Sequence, residues 1–92
     1  MNAARADLVD EDAVAAALRS GRLAAYAADT LRGEGAGHSS PLLAADLADR
    51  VVVTPHTAAQ TVQAIDAMGL TATDEVLAVL ARRAPTNPVE ER

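Results

Sequence analysis

Val51-Val52-Val53-Thr54-Pro55-His56 is the stretch that decides the fold. Three consecutive β-branched residues predict a buried parallel strand. Pro55 has no N–H for the ladder, so the strand stops there and His56 emerges at its carboxyl end. Ligands gather at that edge of open α/β sheets. A histidine placed there can give or take a proton near neutral pH.

Working outward, Asp10 is a plausible N-cap, and Glu11 and Asp12 suit the positive end of a helix. Ala13 to Leu18 are strong helix formers, with Gly21 as the stop. Leu23 to Ala28, ending at Asp29, is a short apolar segment. Its alanines would suit a helix equally well, but its length and the Gly21 break favour a strand. Residues 30–40 hold three glycines, His38, Ser39 and Ser40, and form a loop, with His38 exposed. Pro41 to Leu47 reads as one or two helical turns. From Thr57 to about Arg83 the spacing of Val62, Ile65, Met68 or Gly69, Ala72, Val76, Val79 and Leu80 is helical, with Gly69 a point of weakness. Pro85 and Pro88 end that helix, and the tail is charged. The fold class is α/β: a partial Rossmann-like unit of parallel strands with flanking helices and a long C-terminal helix.

Composition narrows the function. The chain has 92 residues and a net charge of −5, and all of its basic residues are scattered arginines. That balance argues against nucleic acid or an anionic membrane as a partner. Without cysteine there is no disulfide, thiol nucleophile or Cys-type zinc site, and no metal site is expected. The apolar stretches are broken by charges and the N-terminus has no apolar signal core, so a cytoplasmic location is the expectation. About a quarter of the residues are alanine, and Tyr26 is the sole aromatic. Large apolar side chains are too few for a comfortable solitary core, which predicts a homo-oligomer or a partner chain.

If the two strands are parallel neighbours, Asp29, Glu34, His56 and Arg5 can all reach one edge. A carboxylate beside a histidine fixes its tautomer and favours the protonated ring. An arginine fork can hold a carboxylate through two parallel hydrogen bonds. Those parts fit reversible oxidation of a hydroxy acid, with the hydride leaving to a cofactor. Each residue also has a plainer reading. His56 can sit at a strand–helix junction without a role, Arg5 can be solvated, Glu34 can be an ordinary loop acid, and Asp29 can bond local backbone amides. Asp10, Glu11 and Asp12 read as helix-start electrostatics.

Several motifs, in order, resemble one family. Asn2-Ala3-Ala4-Arg5-Ala6 is similar to the Asn-x-x-Arg-Gly motif of the D-isomer-specific 2-hydroxyacid dehydrogenases. Leu8-Val9-Asp10-Glu11-Asp12-Ala13 resembles their Leu-Val-Asp-Glu-x-Ala. The segment from Gly21 to Asp29, Glu34 five residues later, Pro41-Leu42-Leu43, Thr54-Pro55-His56 and Asn87-Pro88-Val89 continue the likeness over nearly the whole chain. The resemblance implies that residues 1–92 form the C-terminal segment of a dinucleotide-binding domain, with no complete second domain. It implies Arg5 on the substrate carboxylate, His56 as general acid/base with Glu34 as its partner, and Ala3, Ala4, Asp29, His56 and Ala58 beside the cofactor. The cofactor implied is NAD, with NADP not excluded, and the substrate a 2-hydroxy or 2-oxo acid.

The chain departs from the pattern as well. The family's G-x-G-x-x-G turn, which holds a pyrophosphate at a helix N-terminus, does not occur in these residues. Thr30-Leu31-Arg32-Gly33 replaces the usual Val-Phe-x-Pro and Gly35 replaces a proline, which predicts a softer loop around Glu34. Ala6 and Ala58 stand where glycine is usual. Three functions compete: a piece of an oxidoreductase inactive in isolation, a non-catalytic remnant or interaction module that self-associates, and a module with a weak dinucleotide site.

Overall fold

The computed structural model describes residues 1–37 and 39–89. His38 and the last three residues of the charged tail lie outside them. The chain divides into two units, Met1–Ala58 and the segment from Ala59 onward.

The first unit begins at its sheet. Strand β1, Tyr26–Ala28, pairs in parallel with β2, Val51–Val53, in the register Tyr26–Val51, Ala27–Val52, Ala28–Val53. Asn2 adds a parallel bridge on the other side of β1: its N–H donates to the Ala27 carbonyl at 2.9 Å and its carbonyl accepts from Asp29 N at 2.9 Å. The N-terminal residues therefore open as a sheet edge. β1 is shorter than the expected Leu23–Ala28. Leu23 N donates to Ala17 O at 3.0 Å, so that residue completes the end of the preceding helix rather than the strand.

That helix, α1, spans Glu11–Arg19. Asp10 caps it by accepting from Ala13 N, as the acidic opening predicts. Gly21 stops it at φ +75°, a left-handed conformation that glycine adopts without steric cost. Glu11, Ala15 and Leu18, spaced i, i+4, i+7, form its buried face. The helix packs against the two 3₁₀ turns Pro41–Leu43 and Ala45–Leu47. The core consists of Ala15, Leu18, Ala28, Leu31, Leu42 and Leu47. Arg19 grips Asp46 with two hydrogen bonds, and Arg50 Nη1 donates to the Leu18 carbonyl.

One expectation fails here. β2 is parallel but not buried: Val52 is 64% and Val53 41% exposed. Among the described residues β2 pairs with β1 alone, which makes it an edge strand, and a run of β-branched residues does not distinguish an edge from a centre.

In the second unit α2 spans Val62–Leu80. It starts later than Thr57, at the residue after Thr61. Thr61 supplies the cap, accepting from Ala64 N at 3.1 Å. The helix continues through Gly69, whose carbonyl accepts from Thr73 Oγ1. Arg82, at φ +55°, closes the C-terminal end, with Arg83 N donating to Ala78 O at 2.8 Å. Glu75 accepts from Thr86 N and Asn87 Nδ2, folding the Pro-containing segment back on the helix. No helix among the described residues is long and apolar enough to cross a membrane.

Candidate active site

The site is built where β1 and β2 end together. Thr54 N makes the last ladder bond, to Ala28 O at 3.0 Å. Pro55 has no donor to continue it. The Thr54 carbonyl instead accepts from His56 N at 2.9 Å, closing a three-residue turn around Pro55. His56 follows at φ +56°, in the left-handed region that a side chain with a Cβ enters only when its surroundings hold it there.

Those surroundings are Asp29. Its Oδ1 accepts from Thr54 Oγ1 at 2.5 Å and Thr57 N at 3.0 Å, and its Oδ2 from Ala58 N at 2.8 Å. Left-handed His56 turns two successive N–H groups toward one carboxylate, an anion-holding nest. The Thr54 hydroxyl, then the Ala58 amide, hold the Asp29 carboxyl below its ordinary value against the opposing effect of burial, and the Thr57 amide adds to them. Asp29 does bond local amides, but those of the turn after β2 rather than of its own strand.

Glu34 completes the pair. Its Oε2 lies 2.7 Å from His56 Nδ1, and its Oε1 accepts from Leu31 N at 2.6 Å. The Leu31 amide, and after it His56, lower the Glu34 carboxyl from its ordinary value. A carboxylate against Nδ1 makes that nitrogen the donor and leaves Nε2 as the free end of the ring. The pair faces a cavity of about 390 Å³ walled by Leu31, Val53, Thr54 and Pro55.

On the other side of Thr54 lies a second cavity of about 440 Å³, lined by Ala3, Ala28, Asp29, Val52, Thr54 and Ala58 among others. Its walls are mostly small and apolar, with Asp29 among them. A flat aromatic carboxamide suits such a slot: Oδ2 spends one acceptor position on Ala58 and keeps another for an N–H. The nicotinamide end of a dinucleotide therefore fits these residues. Nothing in the sequence offers the Gly-rich turn for the pyrophosphate.

The structure thus brings His56, Glu34 and Asp29 together, with Ala3 and Ala58 at the second cavity. Ala4 N donates to Asn2 Oδ1 at 3.0 Å. Arg5 is exposed, turns its guanidinium back to the Ala4 carbonyl at 2.9 Å, and lines neither cavity. Thr54, Thr57, the Leu31 amide and Glu11 escaped the sequence reading. The hydroxyl flanking Pro55 was a usable signal for Thr54. Glu11 carried one too, in its i, i+4, i+7 spacing with Ala15 and Leu18.

Two parallel strands with flanking helices, and a histidine–carboxylate contact beyond the strands' carboxyl ends, define an α/β protein whose candidate site lies at that edge. Comparison with known proteins is more specific. Residues 1–58 match the family model for the D-isomer specific 2-hydroxyacid dehydrogenase, NAD binding domain, and the chain belongs to that family, whose cofactor is NAD. It is similar to the D-3-phosphoglycerate dehydrogenase of Archaeoglobus fulgidus, with 38% identity over 77 residues, which is 84% of this chain and 14% of that protein. It is also similar to the crystal structure of a D-isomer specific 2-hydroxyacid dehydrogenase, NAD-binding, from Polaromonas sp. JS6 66. There the TM-score is 0.70 and the identity 31%, over 97% of this chain and 27% of that one. The chain therefore spans well under a third of the length of either relative.

Proposed function

We propose that this chain is the C-terminal segment of a dinucleotide-binding domain and carries the acid/base end of an NAD-dependent site for oxidising D-2-hydroxy acids. One observation carries the reading: the 2.7 Å contact of His56 Nδ1 with Glu34, at a cavity also lined by Thr54, whose hydroxyl bonds Asp29. In this reading His56 Nε2 accepts the substrate hydroxyl proton as the 2-hydroxy acid becomes a 2-oxo acid. Glu34 holds Nδ1–H and stabilises the imidazolium that forms. Bound NAD supplies the hydride acceptor. Asp29 holds the turn bearing His56 and accepts from the carboxamide, while Ala3, Ala4 and Ala58 border the ring. Arg5 swings from Ala4 to fork the substrate carboxylate. NADP serves equally on these residues, since none of them is assigned to the ribose.

The test is a heteronuclear NMR titration of the chain with NADH, followed by glyoxylate. Saturable shifts are expected at Ala3, Asp29, Ala58 and His56 with NADH, then at Arg5 and His56 with glyoxylate. Resonances that stay in place at millimolar NADH would refute a dinucleotide site in this chain alone, and a His56 tautomer that ignores Glu34→Gln would refute the acid/base reading.

A second reading has its own support. α2 buries none of its residues, and Val62, Ile65, Val76, Val79 and Leu80 are all more than half exposed. A non-catalytic module that self-associates through such surfaces would sediment as an oligomer. A monomer stable at low concentration removes it.

A further inference from the structure

Three acids in succession open α1, and they meet different fates. Asp10 caps the helix. Asp12 is exposed and pairs with Arg32 Nη1 at 2.7 Å. Glu11 is only 3% exposed, on the face it shares with Ala15 and Leu18. Its Oε1 accepts from Arg32 N at 2.8 Å, and its Oε2 is buried without a partner among the described residues. A helix start favours a carboxylate without burying it. Burying one with half of its acceptors unused is unfavourable, so helix-start electrostatics does not account for Glu11.

What it holds does. Arg32 is the second residue of the turn Leu31–Glu34, closed by Glu34 N donating to Leu31 O, with Gly33 at φ +81°. Two neighbouring amides of this turn go to two different carboxylates: Leu31 N to Glu34, and Arg32 N to Glu11. Glu34 grips the turn from within, and Glu11 fixes it from the buried face of α1. The other oxygen of Glu34 then meets His56.

We propose that Glu11 is a positioning residue: by holding the Arg32 N–H from the core side of α1, it sets the turn that presents Glu34 to His56. The proposal rests on the acid/base reading of the Glu34–His56 pair. Glu11 touches neither substrate nor cofactor, and acts through one main-chain amide.

The experiment compares the full chain with Glu11→Met, Glu11→Gln and Glu34→Gln. Methionine fills the same space with a good helix former but cannot accept the bond, whereas glutamine keeps an acceptor in place. Two signals are read: titration of the Glu34 carboxyl by carbon-13 NMR, and the tautomer of neutral His56 by nitrogen-15 NMR. In the native chain Glu34 titrates below the ordinary glutamate range and His56 carries its proton on Nδ1. Glu11→Met is expected to return Glu34 toward its ordinary value and to release His56 to a mixture of tautomers, while Glu11→Gln keeps both signals native. A folded Glu11→Met chain with both signals unchanged overturns the proposal. So does a Glu11→Met chain that no longer folds, because Glu11 would then hold the unit together rather than aim Glu34. If Glu34→Gln leaves the His56 tautomer as it was, the acid/base reading itself falls, and this proposal with it. The Glu11→Met outcome alone removes only the positioning role.

Discussion

Replacing Gly33 and, separately, Gly35 by alanine isolates what the turn before Glu34 requires. Both glycines are left-handed, at φ +81° and +79°. Alanine in that conformation costs about 1–2 kcal/mol over glycine. Part of this, about 0.4–1 kcal/mol, is returned because alanine narrows the unfolded ensemble. At Gly35 an added Cβ meets nothing within 4 Å, so the net loss there is about 0–1.6 kcal/mol. At Gly33 the same atom lies 2.6 Å from Ser39 Oγ and 3.0 Å from Ser39 N. The hydroxyl can rotate away, but the main-chain nitrogen moves only with its segment, which adds roughly 1–3 kcal/mol of overpacking. Urea unfolding followed by the fluorescence of Tyr26 reads the first unit alone, because β1 holds the chain's sole aromatic. With a slope near 1 kcal/mol/M for so small a unit, the Gly33→Ala midpoint should fall roughly 1–3 M below that of Gly35→Ala. Equal midpoints would refute the steric account of the turn.

Other outcomes follow from the same geometry. Leu18 is fully buried, so Leu18→Ala should remove about 3 kcal/mol of stability in the same unfolding assay; a loss below ~1 kcal/mol would mean that the core collapses around it. Native Asp29 and Glu34 titrate below their ordinary values. The stability they confer is complete above the ordinary carboxylate range and lost as pH falls through the lower native values, so urea midpoints should drop on acidification and drop less in Glu34→Gln. A flat acid limb in the native chain would contradict this. Asp29→Asn should speed hydrogen exchange at Thr57 or Ala58, whose amides share that carboxylate; unchanged protection of both would show that the turn stands without it.

Local chemistry made much of this legible. Asp10 and Gly21 bound α1 because capping and left-handed φ are short-range demands, and Pro55 ends β2 because it lacks a donor. The 2.7 Å meeting of His56 with Glu34 follows from parallel neighbours that end at one edge. Burial was less legible: Val51–Val53 reads the same at an edge as at a centre. The start of α2 was obscured because Thr57 and Thr61 both offer a capping hydroxyl, and Thr61 is the one that accepts from an amide of the helix. Glu11 looked like a surface acid although its spacing with Ala15 and Leu18 put it on the buried face, because its partner is a backbone N–H and no side-chain motif marks such a group.

That last point reaches beyond Glu11. Asp29, Glu34 and Glu11 are held mainly by main-chain amides, those of Thr57, Ala58, Leu31 and Arg32. Every residue except proline carries such a group. The side chains at these four places can drift while the wiring stays. Only proline would cut it, and Leu31 in place of the family's usual Phe leaves the connection to the histidine intact.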